Sequence, residues 1–121
     1  MEEIKRTMTL APNEYYAKHL ELMSSLLPTP LTGKEISILS KFMAFEGPLV
    51  SDYRFNSIVR AKVREESNAS PGNMANYLKS IKKKGYISKD VEGRISIHPK
   101  LWPSTTQEYN ITLIKNGSKT N

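Results

Sequence analysis

Cysteine is absent from this 121-residue chain, which excludes disulfide frameworks, thiolate zinc sites, iron–sulfur clusters and cysteine nucleophiles on inventory alone. Only two histidines occur, His19 and His98, too far apart for any metal-ligand spacing. Both are expected to be structural: His19 as a partly buried helix residue, His98 as a strand-end residue before Pro99. No metal and no cofactor are expected. Aromatic residues make up just 8% of the chain; they limit the core and do not interleave with the basic residues, as base-stacking RNA binders require. No apolar run approaches the roughly 18 residues of a membrane span. Met1-Glu2-Glu3-Ile4-Lys5-Arg6 lacks the apolar core of a signal peptide. The expectation is a soluble, cytoplasmic protein with no membrane partner. Phosphate-binding glycine loops, Gly-x-Ser-x-Gly and His-Glu-x-x-His are also missing, so no catalytic residues are assigned and an enzyme is not expected.

What is present is a clustered positive charge. The formal net charge is +6, and it is unevenly spread. Residues 1–53 carry 5 basic and 7 acidic side chains, residues 54–100 carry 11 and 4, and residues 101–121 carry 2 and 1. Clustered charge marks a partner, whereas scattered charge mostly serves solubility.

Hydrophobic periodicity organises the chain into helices followed by a hairpin. Thr7-Met8-Thr9-Leu10 alternates as a short strand before Pro12-Asn13. From about Asn13, Tyr16, Leu20, Met23 and Leu27 recur at helical spacing, widened by Leu22 and Leu26, until Pro28-Thr29-Pro30 ends the helix. Thr32-Gly33-Lys34-Glu35 reads as a capping box. It opens a second helix through Ile36, Leu39, Phe42 and Met43, flanked by Ile38 and Phe45, which stops at Gly47-Pro48. Phe55, Ile58, Val59 and Val63 indicate a third helix whose other face carries Arg60, Lys62 and Arg64.

Ser70-Pro71, a capping residue followed by proline at the first helical position, starts a fourth helix that ends at Gly85. Met74, Tyr77, Leu78 and Ile81 share one arc. Gly72, Asn76, Lys79 and Lys83, flanked by Asn73 and Ser80, form an opposite face without an acid. Such a face suits a DNA groove: an asparagine amide can donate and accept across adenine N6 and N7, and lysines meet phosphates. Simple solvent exposure is the competing reading of the asparagines. Tyr86-Ile87-Ser88-Lys89 and Arg94-Ile95-Ser96-Ile97 alternate around Asp90-Val91-Glu92-Gly93 as a β-hairpin. Arg94, beside the turn, can reach a minor groove or simply keep the tip soluble. Lys82-Lys83-Lys84 at a helix C-terminus complements the macrodipole. Glu108 to Ile114 alternates as a further strand, pairing with the Thr7 run within the chain or from a second copy, which would make a homodimer through the terminal segments. Trp102 is expected as a core anchor.

Leu31-Thr32-Gly33-Lys34-Glu35-Ile36-Ser37-Ile38-Leu39, the helix start at Ser70, and Leu78-Lys79-Ser80-Ile81-Lys82-Lys83-Lys84-Gly85-Tyr86-Ile87 together resemble a MarR-like winged helix-turn-helix regulator. The resemblance covers about residues 31–99. It implies a recognition helix over 71–84 in the major groove and a wing over 86–98, with contact roles for Ser70, Gly72, Asn73, Asn76 and Arg94.

The expected fold is therefore mainly α with a small β-sheet (α+β), a winged helix-turn-helix with a hairpin wing and extra terminal strands, in one domain. Residues 1–30 would form an N-terminal strand and helix extension, 31–100 the core, and 101–121 a C-terminal strand and polar tail. The expected function is non-enzymatic binding of double-stranded DNA in transcriptional regulation. Asn73 and Asn76 would read bases, Lys79, Lys83 and Lys89 would neutralise phosphates, Arg60 and Arg64 would extend the backbone contact, and Arg94 would probe the minor groove. Nothing in the sequence marks a small-molecule effector site. The alternative is a winged helix used as a protein-interaction or assembly module, favoured if Tyr15, Tyr16, Leu22 and Trp102 are exposed together.

Overall fold

The computed structural model describes residues 10–48, 50 and 53–103. The strands expected at Thr7 to Leu10 and Glu108 to Ile114 lie outside this range, save for Leu10. Among the described residues, four helices and a two-stranded antiparallel sheet follow in the order α1 (Pro12–Ser25), α2 (Gly33–Ala44), α3 (Ser57–Ser67), α4 (Pro71–Lys83), β1 (Ile87–Lys89) and β2 (Ile95–Ile97), with a 3-10 turn at Pro99–Leu101. The architecture is mainly helical α+β. No helix among the described residues is long and apolar enough to cross a membrane.

Local chemistry accounts for most boundaries. Helix α2 begins with both halves of the capping box in place: the Thr32 hydroxyl accepts from the Glu35 N–H at 3.2 Å, and the Glu35 carboxylate accepts from the Thr32 N–H at 2.8 Å. Helix α1 takes Pro12 as its first residue and ends at Ser25, so Leu26 and Leu27 fall beyond it and are 56% and 38% exposed. The two leucines thus leave the expected stripe. Helix α3 starts at Ser57, two residues after Phe55, because Asn56 caps it by accepting from the Val59 N–H at 2.9 Å. Phe55 is buried ahead of the helix, whereas Ile58 points outward and is 56% exposed.

The core gathers one face of each helix and the hairpin. Leu20, Ile38, Leu39, Phe42, Val59, Val63 and Ile81 are fully enclosed, with Phe42 and Phe55 stacked at 4.4 Å between ring centroids. Ile87 and Ile97, paired in register, close the core from the hairpin side. Helix α2 packs against α1, α3 and α4, and α4 also meets β1. That arrangement buries Met74, Leu78 and Ile81 and turns the opposite face of α4 to solvent.

Candidate nucleic-acid interface

A three-residue link, Asn68-Ala69-Ser70, joins α3 to α4. Asn68 adopts the left-handed conformation with φ 54°, which asparagine tolerates better than most residues. The Ala69 N–H then donates back to the Arg64 carbonyl at 2.9 Å, closing the α3 terminus. Ser70 caps α4, its hydroxyl accepting from the Asn73 N–H at 3.1 Å, and Pro71 occupies the first helical position.

Along α4 the expected face is realised side chain by side chain. Gly72, Asn73, Ala75, Asn76, Lys79, Lys82 and Lys83 are exposed, and the helix contains no acid. Lys79 and Lys83 are four residues apart and share a side of the helix. Lys84 behaves differently. Its ammonium turns inward and donates to Glu35 Oε1 at 2.6 Å, leaving Lys82 and Lys83 as the solvent-facing cations of that run.

The arginines of α3 divide. Arg64, half-buried, lines a shallow depression of about 400 Å³ with Asn68, Ala69 and Ser70, which sets it beside the start of α4. Arg60 instead folds back, its Nε donating to the Phe55 carbonyl at 2.7 Å. It therefore spends one donor on the chain just before α3.

The hairpin carries the remaining pair. Asp90 builds the tip, its Oδ1 accepting from the N–H groups of Glu92 and Arg94, both at 2.9 Å, while Gly93 takes φ 84°. Lys89 is exposed. The Arg94 guanidinium lies over the Tyr53 ring, 4.7 Å from its centroid, and is thus held by an aromatic partner. Tyr53, Arg94, Asp90, Ser96 and Trp102 border a groove of about 360 Å³ between the hairpin and the chain leading into α3.

Sequence reasoning missed two residues of this region, Tyr53 and Arg54, and one contact of a third, Glu35. Tyr53 has no periodic context, yet its hydroxyl accepts from the Ile95 N–H at 2.8 Å. Arg54 closes the C-terminus of α2 by donating to the carbonyls of Phe42, Met43 and Phe45. Burial pulls its pKa below the usual guanidinium value, opposed by Tyr16 and Glu46. Glu35 was legible as a capping residue but not as the partner of Lys84. Burial acts to raise its pKa, but hydrogen bonds from the Lys84 and Ser80 side chains and the Thr32 N–H prevail and hold it below the ordinary carboxylate value.

The histidines both have structural partners. His19 is buried on α1 and donates from Nε2 to the Leu101 carbonyl at 2.8 Å. His98 accepts at Nδ1 from the Lys100 N–H, capping the 3-10 turn. No cluster of three or more His, Cys, Asp or Glu side chains that could hold a metal ion occurs among the described residues.

Tyr15, Tyr16 and Leu22 are half-buried. Tyr16 meets Trp102 edge-on at 5.9 Å, and the Arg54 guanidinium covers the indole at 4.9 Å. Trp102 is 37% exposed, so the buried anchor of this segment is its neighbour Leu101. The four side chains are not jointly exposed as an apolar patch.

The chain matches no family model, no curated protein and no solved structure.

Proposed function

We propose that α2, α3, α4 and the hairpin form a winged helix-turn-helix of MarR-like type that binds double-stranded DNA, with α4 as the recognition helix and the hairpin as the wing. The observation that carries this reading is the exposed face of α4, which presents Asn73, Asn76, Lys79 and Lys83 with no acid anywhere on the helix. Phosphates are met by cations and base edges by hydrogen bonds, and this face offers both in one row. The short link from α3 adds Arg64 beside its start, and the hairpin that follows adds Lys89 and Arg94.

In this reading the protein is a non-enzymatic transcriptional regulator that acts by occupying or bending its site. Asn73 and Asn76 read bases, Lys79, Lys83 and Lys89 neutralise phosphates, and Ser70 and Gly72 allow close approach of the helix start. Arg60 contributes less than Arg64, since its Nε is held by the Phe55 carbonyl.

Fluorescence anisotropy with duplex DNA across a salt series tests the proposal. Four to six phosphate contacts give a log–log slope of about −4 to −5, and Lys79→Ala/Lys83→Ala flattens it by about one to two. Absence of binding at low salt overturns the reading.

A further inference from the structure

The hairpin has three residues in each strand, and an isolated two-stranded ribbon of that size is marginal in water. A wing that contacts DNA at the same time as α4 needs its position fixed from outside the sheet. We infer that Tyr53 is the positioning residue that sets the wing for DNA contact; the inference rests on the DNA-binding reading above.

Tyr53 grips the hairpin at two adjacent residues. In the ladder, the Asp90 N–H donates to the Arg94 carbonyl and the His98 N–H to the Tyr86 carbonyl, so Ile95 turns its N–H away from β1, to the outer edge of β2. The Tyr53 hydroxyl accepts that N–H at 2.8 Å. One residue earlier, Arg94 lays its guanidinium on the Tyr53 ring.

The same residue is tied to the helices. Its carbonyl accepts from Asn56 Nδ2 at 2.8 Å, and Asn56 in turn caps α3 through the Val59 N–H. Its ring packs at 6.5 Å against Phe55, which stacks on Phe42 of α2. Tyr53 thereby links the first turn of α3, the aromatic core and the edge of the wing. The Arg94 guanidinium is thereby held against the same residue that anchors the β2 edge.

The test compares wild type with Tyr53→Phe, which keeps the ring and removes the hydroxyl, and with Arg94→Ala, which leaves the core untouched. Two duplexes are used, one of about 10 base pairs that spans a single major-groove contact and one of about 20 that also reaches the flanks. Wild type is expected to prefer the longer duplex, to lose about tenfold of that preference on Arg94→Ala, and to lose about three- to tenfold on Tyr53→Phe, with the salt slope on the longer duplex flattened by about one. The double variant should lose no more than Arg94→Ala alone, because both act through one contact. Amide exchange at Ile95 should accelerate at least tenfold in Tyr53→Phe while the amides of α4 stay protected. A Tyr53→Phe protein with the wild-type length preference and salt slope overturns the inference and leaves the α4 assignment standing. Wild type that binds neither duplex at low salt overturns the DNA reading itself.

Discussion

Lys84 at the end of α4 donates to Glu35 at the start of α2 over 2.6 Å, joining two helix termini 49 residues apart in sequence. The Glu35 side chain is 3% exposed and that of Lys84 20%. The pair is therefore shielded from the solvent screening that makes surface ion pairs weak. Glu35 also accepts the capping bond from the Thr32 N–H, so one carboxylate serves both α2 and α4.

Glu35→Ala is expected to destabilise the protein by about 2–3 kcal/mol, because it removes a cap and leaves Lys84 without its partner. Lys84→Ala should cost somewhat less, about 1–2 kcal/mol, and leave the salt slope of DNA binding unchanged, in contrast to Lys83→Ala. Chemical denaturation and anisotropy on the same variants check both. The carboxylate is held below its ordinary value of 4.5 in the folded state. Its contribution is thus fully present above about pH 4.5 and is lost as the pH falls through the lower folded value.

His19 gives a pH dependence in a higher window. Burial lowers its pKa from 6.5, with the hydrogen bond to the Leu101 carbonyl opposing the shift. Above pH 6.5 the ring is neutral in both folded and unfolded chains. As the pH falls below that value the unfolded chain takes up its proton first, so stability declines until the folded histidine titrates as well. The slope approaches at most about 1.4 kcal/mol per pH unit. His19→Gln keeps an N–H donor for Leu101 and removes the titration. Denaturation midpoints at pH 7.5 and 5.5 should therefore differ less in the variant than in wild type.

Arg54 tests how α2 ends. Its guanidinium serves the carbonyls of Phe42, Met43 and Phe45, which the helix leaves without intrahelical donors, and it also lies over Trp102. Arg54→Met should lower stability by about 2–3 kcal/mol. Arg54→Lys should recover only part of that, since an ammonium lacks the planar fork that bridges several acceptors while stacking on a ring. Thermal melts of the two variants distinguish lost charge from lost geometry.

The elements that were legible in the sequence owe that to local chemistry. Thr32 with Glu35 and Ser70 with Pro71 act within a single turn, so spacing alone located the starts of α2 and α4, and Asp90 with Gly93 located the hairpin turn. What escaped was non-local or irregular. The stop expected at Gly47-Pro48 comes earlier, at Ala44, where Arg54 caps the helix from ten residues downstream. Ile58 matched the apolar period of α3 but lies outward, because the cap at Asn56 places Phe55 before the helix. For the candidate site, composition marked the cations of α4, but not that Lys84 turns inward, that Arg60 folds back on Phe55, or that Tyr53 holds Arg94. Each of those facts depends on a partner that the sequence does not name.

Asn76 carries the most specific prediction about DNA. It stands exposed on the second turn of α4, next to Ala75 and between Asn73 and Lys79, with no guanidinium on the helix. Guanine is read most often by arginine or lysine at O6 and N7, adenine by an amide at N6 and N7, and the thymine methyl by small apolar side chains such as alanine. On the proposed DNA-binding reading, the first two turns of α4 are expected to favour A·T pairs. Selection from a randomised duplex pool should enrich A·T at the central positions, and Asn76→Ala should relax the preference at one base pair by about 1–3 kcal/mol. The salt slope should stay as in wild type, since an amide neutralises no phosphate. Asn76→Arg should move that position toward G·C. If Asn76→Ala instead weakens all sequences equally, the amide contacts the backbone, and base reading falls to Asn73 alone.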